Sequence, residues 1–143
     1  MREIKFKAYD KLTKRIYCVW AINSDNSVDM ATNGLLVKGV FKRKRDEVEL
    51  IQFTGLKDRK GIDIYEGDIV IDNCIDLVKN NIEDRFKYSR LHEVYFDKGC
   101  FMVTNIKSCH FPLLIEVVLY TDLEIIGNIY ENPELRENKK NEL

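Results

Sequence analysis

The stretch from Gln52 to Val70 (QFTGLKDRKGIDIYEGDIV) constrains the fold more than any other part of the chain. Apolar and polar residues alternate at 51–53 and again at 62–64, which is the period of a strand with one buried face. Gly55 and Gly61 bracket the charged segment between these runs, and glycine readily adopts the positive φ that a tight reversal needs. The pattern therefore predicts a β-hairpin whose charged loop remains in water.

A second turn signal follows at Glu66–Asp68 and leads into the β-branched run Ile69–Ile71. Such residues are typical of strands whose faces are at least partly covered. A turn that feeds a strand through the letters GDIV is also common in small SH3-like barrels. The stretch therefore favours a β fold and, within that class, a small barrel.

Short apolar or alternating runs beside turn signals recur along the rest of the chain, and each predicts a strand. They lie at 4–8, 16–21, 35–41, 91–96, 100–104, 113–120 and 123–130. The first two runs are separated by a short turn and predict an N-terminal hairpin, and 91–96 with 100–104 predicts a second one. At 113–120 periodicity leaves strand and helix open, and composition favours the strand. Asn132 and Pro133 form a helix-start signal, and the polar residues after them allow only a short helix.

We therefore expect a mainly β protein, an SH3-like barrel elaborated with extra β-hairpins and a short C-terminal helix. The 143 residues are expected to form a single domain, since a chain of this length buries enough surface to fold without disulfides or metal. The segment 76–90, where apolar residues are scattered among charges, is expected to be a variable excursion. The alternative is an α+β protein of two small subdomains joined through that segment.

Three separated stretches carry a family resemblance: Met1–Asp10 (MREIKFKAYD), Gln52–Val70 and Ile125–Glu134 (IIGNIYENPE). Together, and in this order, they resemble the YopX-like family of small phage and prophage proteins. The chain departs from the family pattern at Tyr9, where Trp is usual, and at Phe53, where Tyr is usual, and both positions keep an aromatic ring. The resemblance implies a phage or prophage accessory protein and implies no particular activity.

Composition argues against several classes of protein. With 23 basic and 24 acidic residues the net charge is −1, which gives no overall attraction to nucleic acid or to anionic membranes. The four cysteines have no metal-ligand spacing, so we expect free buried thiols, with disulfides as the alternative. No apolar run is long enough to span a membrane, and we expect the protein in the cytoplasm of the host cell.

The chemistry-bearing residues form no complete catalytic pattern. His92 alternates with polar and apolar neighbours and is expected to face solvent, and His110 with Cys100 matches no zinc spacing. Asp68 and Asp72 would share a strand face, which leaves a metal-dependent nuclease as a minor hypothesis. Turn hydrogen bonds are the simpler role for these carboxylates. We therefore expect no enzyme, no metal and no cofactor.

Binding is the remaining function. The expected partner is a second copy of the chain or a host or phage protein, because tyrosines are enriched at interfaces and sheet edges must be covered. The predicted interaction surface lies on polar turns and comprises Tyr65, Glu66, Asp68, Tyr130 and Asn132. The alternative is a nucleic-acid-binding module that uses the run Lys42, Arg43, Lys44 and Arg45 with the basic face of Lys5 and Lys7. The acidic residues that follow this run are expected to cancel its field, in a solvated loop.

Overall fold

The computed structural model of the chain describes residues 3–32, 39–72, 90–105, 109–112 and 123–137. These residues form eleven strands, one 3-10 turn and one turn of α-helix. The strands are β1 (Phe6–Asp10), β2 (Arg15–Ile22), β3 (Ser27–Ala31), β4 (Phe41–Lys44), β5 (Val48–Lys57), β6 (Asp63–Tyr65), β7 (Asp68–Asp72), β8 (Arg90–Asp97), β9 (Cys100–Asn105), β10 (Cys109–Pro112) and β11 (Glu124–Asn128). The 3-10 turn is Arg45–Glu47 and the helix, α1, is Glu134–Glu137.

The strands belong to two antiparallel sheets. One has the order β4-β3-β2-β1-β5-β6 and the other the order β10-β9-β8-β7-β11. The mainly β class and the short C-terminal helix are therefore confirmed. Over the described residues neither sheet closes into a barrel, so the SH3-like part of the prediction is not confirmed.

The chain divides into two compact units, Met1–Phe53 and Thr54–Leu143, and the division falls inside β5. We call them the N-terminal and C-terminal units. The excursion expected at 76–90 lies outside the described residues except for its last position, where β8 begins. The segment 113–120, left open between strand and helix, also lies outside the described residues.

The N-terminal unit is built from β1 to β4 and the first half of β5. β1 and β2 form the predicted hairpin, in which Ala8 lies opposite Tyr17. The chain passes through the 3-10 turn from β4 to β5, and β5 then returns to pair with β1. Apolar residues of one sheet face form the core of this unit: Ala8, Tyr17, Val28, Met30 and Val48, with Val19, Phe41 and Leu50 packed against them.

The C-terminal unit contains the second predicted hairpin, β8 and β9, in which Phe96 lies opposite Phe101. Its core consists of Ile64, Val70, Val94, Phe101, Val103 and Leu123, with Leu56 and Ile125 packed against them. His92 is buried, so the expectation that it faces solvent is wrong. The reason is register: His92 lies opposite Val70 and two positions before Val94, and therefore shares their core-facing side of the sheet.

Candidate functional site

The predicted interaction surface lies on two turns of the C-terminal unit. One turn, Tyr65–Asp68, connects β6 to β7, and the other, Asn128–Asn132, follows β11. β11 pairs with β7, and beyond the pairing the backbone N–H of Ile129 donates to the carbonyl of Gly67 over 2.8 Å. The structure thus brings both halves of the predicted surface together. We call these two segments the paired-turn surface.

Gly67 makes this close approach possible. Its φ is +81°, a conformation that side chains rarely adopt, and its N–H donates to the carbonyl of Val94 over 2.7 Å. A Cβ at this position would lie 2.9 Å from Cε2 of Tyr130 and 3.3 Å from Cγ1 of Ile129. Glycine is therefore required here for its backbone conformation and for the space beside Tyr130.

Two of the predicted surface residues hold the first turn in shape. Oδ2 of Asp68 accepts a 2.8 Å hydrogen bond from the backbone N–H of Tyr65, which closes the turn. The side chain of Tyr65 is only 7% exposed. Both residues therefore serve the geometry of the surface more than direct contact with a partner.

The second turn is held by two asparagines. Oδ1 of Asn128 accepts from the backbone N–H groups of Tyr130 and Glu131 at 3.0 and 2.8 Å. Oδ1 of Asn132 lies over Gly127 and accepts from the N–H of Asn128 at 3.3 Å. Sequence reasoning selected Asn132 and missed Asn128, although an asparagine at the end of a strand is a usual turn former.

The accessible part of the paired-turn surface is acidic with one aromatic ring. Glu66 and Tyr130 are partly exposed, and Glu131 is exposed. The first residue of α1, Glu134, is exposed beside them and accepts from Nδ2 of Asn132 at 3.4 Å. These four side chains form the solvent-accessible part of the paired-turn surface, and Oε2 of Glu131 accepts from Nδ2 of Asn128 at 3.2 Å.

The charged loop between β5 and β6 contains a buried carboxylate that the sequence did not reveal. Asp58 is only 5% exposed, so the expectation that this loop keeps all its charges in water is wrong. Its Oδ1 accepts from the N–H groups of Lys60 and Ile62 at 2.8 and 2.9 Å, and its Oδ2 from that of Ile125 at 3.3 Å. Asp58 thus links the loop to β11, and two of the stretches that carry the family resemblance meet at this residue.

The basic side chains of the same loop are paired. Arg59 and Lys60 both contact the carboxylate of Glu124, and Lys57 contacts that of Asp63. The hydrogen bond from Lys60 lowers the pKa of Glu124, and although desolvation opposes this, the positive charges of Arg59 and Lys60 add to the lowering. The positive charges of this loop are therefore balanced by nearby carboxylates.

The run Lys42–Arg45 is not the solvated loop that was expected. Its first three residues form most of β4, and Arg45 begins the 3-10 turn. The ammonium of Lys42 lies 3.7 and 3.9 Å from carboxylate oxygens of Asp25, in the turn before β3, and Asp29, in β3. The guanidinium of Arg45 donates to the carbonyl of Val48 over 3.3 Å.

Arg43 belongs to a network around Asp10, which sequence reasoning also missed. Nε of Arg43 lies 3.2 Å from Oδ2 of Asp10, which is fully buried. Asp10 also accepts 3.0 Å hydrogen bonds from the N–H of Leu12 and from Oγ1 of Thr13, and Thr13 accepts from Tyr17. Desolvation raises the pKa of Asp10, but these hydrogen bonds and the charge of Arg43 outweigh it, so the pKa lies below its usual value.

Little in the described part of the chain resembles a metal or redox centre. Over these residues no three His, Cys, Asp or Glu side chains are grouped to hold a metal ion. Asp68 has the turn-closing role given above, and the side chain of its proposed nuclease partner, Asp72, lies outside the description. Cys18 and Cys100 are free, and Cys100 is exposed where a buried thiol was expected. None of the described helical segments has the length and apolar character needed to cross a membrane.

Over the described residues the chain is a mainly β protein with two antiparallel sheets, in which buried aspartates and turn asparagines fix the loops. The model of the family described as YopX protein matches residues 5–137, so the chain belongs to the YopX family.

Two solved structures share the fold. Protein EF1440 from Enterococcus faecalis is 22% identical with a TM-score of 0.63, and the match covers 95% of this chain and 99% of that one. Protein yopX from Bacillus subtilis is 22% identical with a TM-score of 0.58, over 94% of this chain and 96% of that one. A search of curated proteins found no match. At this identity the likeness concerns the fold alone.

Proposed function

We propose that this YopX-family chain is a non-enzymatic binding module that acts through the paired-turn surface. It is an accessory protein of a phage or prophage and works in the cytoplasm of the host cell. The observation that carries the proposal is the 2.8 Å hydrogen bond from Ile129 to Gly67, because it fixes two turns from distant parts of the sequence into one surface.

The rigidity of this surface supports binding. Asp68, Asn128 and Asn132 each accept hydrogen bonds from backbone N–H groups, which orders the turns before any partner arrives. A surface ordered in advance loses less conformational entropy when it binds. Polar turns carried on a rigid scaffold are also a usual location for recognition.

The roles of the acidic residues support a function without catalysis. Asp10, Asp58 and Asp68 lie in the stretches that carry the family resemblance, and each accepts at least one backbone hydrogen bond. These bonds account for why aspartate stands at each position. Binding through the exposed glutamates and Tyr130 then requires no further chemistry.

For the N-terminal unit alone we retain the SH3-like description as a proposal. Its support is the strand order: β1 to β4 follow one another in the sheet, a 3-10 turn joins β4 to β5, and β5 pairs with β1. Small barrels of this kind often carry binding sites.

Nucleic-acid binding through Lys42–Arg45 has weaker support. Lys42, Arg43 and Arg45 all have partners within the N-terminal unit. A phosphate backbone would have to compete with the carboxylates of Asp10 and Asp25 for these cations.

The test is affinity capture of the tagged chain from host cells, with and without nuclease. We expect to capture a protein partner whose binding persists after nuclease treatment. The Tyr130→Ala variant should capture about tenfold less of this partner, a loss typical of an interface anchor. The Tyr130→Phe variant keeps the ring and removes the hydroxyl, so it shows which of the two contributes to binding. Tyr95→Ala is the matched control, because Tyr95 is also a partly exposed tyrosine of the C-terminal unit.

Two results would overturn the proposal. One is equal capture by the wild type and Tyr130→Ala, with both variants shown to be folded by circular dichroism. The other is loss of every partner after nuclease treatment, which would favour the run Lys42–Arg45.

A further inference from the structure

Charge is divided unequally between the two units. The N-terminal unit has eleven Lys and Arg against seven Asp and Glu, a formal charge of +4. The C-terminal unit has twelve against seventeen, a formal charge of −5. The net charge of −1 argued against an anionic partner, but it conceals a strongly positive unit. An anionic partner is therefore attracted to the N-terminal unit alone.

Ion pairs neutralise many of the cations that the structure describes. Those that contact an Asp or Glu side chain from another part of the chain include Lys42, Arg43, Lys57, Arg59, Lys60 and Arg136. Lys14 and Arg15 of the N-terminal unit are exposed, and no carboxylate of the described residues forms an ion pair with either. Both lie where β1 turns into β2, in the exposed segment Lys11–Arg15, which we call the basic turn.

The basic turn is built around the buried carboxylate of Asp10. The N–H of Leu12 and Oγ1 of Thr13 each donate to this carboxylate over 3.0 Å. The N–H of Lys14 donates to the carbonyl of Asp10 over 2.8 Å, and Arg15 lies opposite Asp10 in the β1–β2 pairing. Leu12, Lys14 and Arg15 are thus held around one residue, in a turn that is ordered before a partner binds.

The third cation of the basic turn, Lys11, is already compensated. Its ammonium lies 2.8 Å from Oε1 of Glu49 and donates to the carbonyl of Asp46 over 2.9 Å. These contacts join the turn to β5 and to the 3-10 turn before it. The positive charge that the turn offers to another molecule therefore comes from Lys14 and Arg15.

The apolar side chain of the basic turn belongs to Leu12, which is 66% exposed. Its backbone N–H bonds to Asp10, but its side chain is left in water. Proteins that bind the minor groove of DNA frequently insert an apolar side chain such as leucine, with Lys or Arg beside it. Single strands are instead bound by stacking on aromatic side chains, and the basic turn contains no aromatic residue. An exposed leucine beside two cations therefore fits duplex DNA.

An anionic membrane surface fits the same turn less well. One leucine side chain carries much less apolar surface than a myristoyl chain, and a single myristoyl chain already gives only marginal, reversible membrane binding. Contacts from Lys and Arg to phosphates, in contrast, supply essentially all of the affinity of non-specific DNA binding. The composition of the turn therefore favours DNA over a lipid surface.

We propose that the basic turn binds duplex DNA without sequence preference, with Lys14 and Arg15 at backbone phosphates and Leu12 in the minor groove. This surface lies in the N-terminal unit and the paired-turn surface lies in the other. The inference therefore goes beyond the proposed function and does not depend on it. The surface also differs from the run Lys42–Arg45, where most of the cations have partners within the unit.

Fluorescence anisotropy of a short labelled DNA duplex, measured with the purified full chain, tests this directly. Two phosphate contacts predict that the logarithm of the association constant falls with the logarithm of the salt concentration at a slope of about −2. Between about 0.05 M and about 0.2 M salt the affinity should therefore fall about tenfold. Lys14→Glu/Arg15→Glu should weaken binding at low salt by about tenfold or more, because both phosphate contacts become repulsive.

Lys98→Glu provides the matched control. Lys98 is also an exposed lysine with a left-handed backbone in a hairpin turn, at a φ of +49° against +59° for Lys14, but it belongs to the negative unit. Lys98→Glu and Tyr130→Ala should both bind the duplex as the wild type does. Leu12→Ser should weaken binding about threefold to tenfold through lost apolar burial, with the salt slope unchanged.

Several results would overturn the inference, with each variant shown to be folded by circular dichroism. These are a wild type that does not bind the duplex at low salt, equal binding by Lys14→Glu/Arg15→Glu, or an equal loss for Lys98→Glu. Binding to phosphatidylglycerol vesicles without binding to DNA would assign the turn to a membrane surface instead. A nuclease-resistant protein whose capture requires Lys14 and Arg15, again without DNA binding, would assign it to an acidic protein. Capture that depends on Tyr130 tests the proposed function separately.

Discussion

At the scale of single residues, aspartates and asparagines in turns explain much of why the resemblance stretches contain the letters they do. Asp10 is the last residue of β1, and its carboxylate accepts a hydrogen bond from the turn that follows. Asp58 comes directly after β5, and its carboxylate likewise accepts from the turn that follows it. Their burial follows from these bonds, since a buried carboxylate is tolerated where hydrogen bonds and charge compensate it. Neither burial could be read from the sequence, because both carboxylates also bind groups at distant positions, Arg43 and Ile125.

Asp10 predicts a defined dependence of stability on pH. Its folded pKa is lowered below the ordinary value of 3.8, so its contribution is present above that value and is lost as the pH falls through the lowered folded pKa. Asp10→Asn should cost about 1–3 kcal/mol of unfolding free energy near neutral pH. The difference between variant and wild type should shrink in acid.

Urea unfolding at pH 7, 4 and 2.5 measures this dependence, with Asp97→Asn at an exposed position as the control. A stability difference for Asp10→Asn that stays constant across this range would contradict the assignment.

Gly67 allows backbone strain to be separated from crowding. Gly67→Ala must adopt a φ of +81° and also meets Tyr130 at 2.9 Å, whereas Gly55→Ala must adopt a φ of +91° with no atom within 4 Å. We expect Gly55→Ala to cost about 1 kcal/mol from strain alone, and Gly67→Ala to cost about 2–3 kcal/mol. Equal melting temperatures for the two variants would show that Tyr130 does not pack against Gly67.

At the scale of elements, local sequence patterns were enough to predict the hairpins, but they were not enough to predict the strand β4. The hairpins β1–β2 and β8–β9 depend on neighbouring runs and turn letters, and both were predicted. Four consecutive basic residues at 42–45, followed by acidic ones, predict a solvated loop. In the structure its cations are balanced by Asp10, Asp25 and Asp29, which no local period indicates.

Arg43 therefore joins β4 to β1, and this gives a prediction for the element. Its guanidinium also lies 4.9 Å from the ring centre of Phe41, so the side chain packs as well as pairs. Arg43→Met keeps the stem and removes the charge, and should cost about 1–3 kcal/mol by leaving Asp10 without its ion pair. Lys44→Met, at the adjacent exposed position, should change stability by less than about 0.5 kcal/mol.

Chemical denaturation of the two methionine variants separates these effects. Similar losses would mean that the ion pair contributes nothing specific, and β4 would then be held by its backbone pairing alone.

At the scale of the whole molecule, the sequence predicted a mainly β protein and its family. The structure adds which of the stretches that carry the family resemblance contact one another. The stretches 52–70 and 125–134 meet at Asp58 and again at Gly67. Of the predicted surface, Tyr65, Asp68 and Asn132 shape the turns, and Glu66 and Tyr130 are partly exposed on them. Alternation and turn letters placed these residues on turns, but only the pairing of β7 with β11 brings the turns together.

The charge division between the units also emerges only at this scale. A net charge of −1 argued against binding to phosphate backbones, and it hid a +4 unit and a −5 unit.

The most direct test of the central claim is hydrogen exchange of the full chain, alone and with its captured partner. We predict that binding slows exchange at residues 65–68 and 128–132. Protection confined to the core strands β8 and β9, with both turns unchanged by the partner, would contradict the assignment of the paired-turn surface as the binding site.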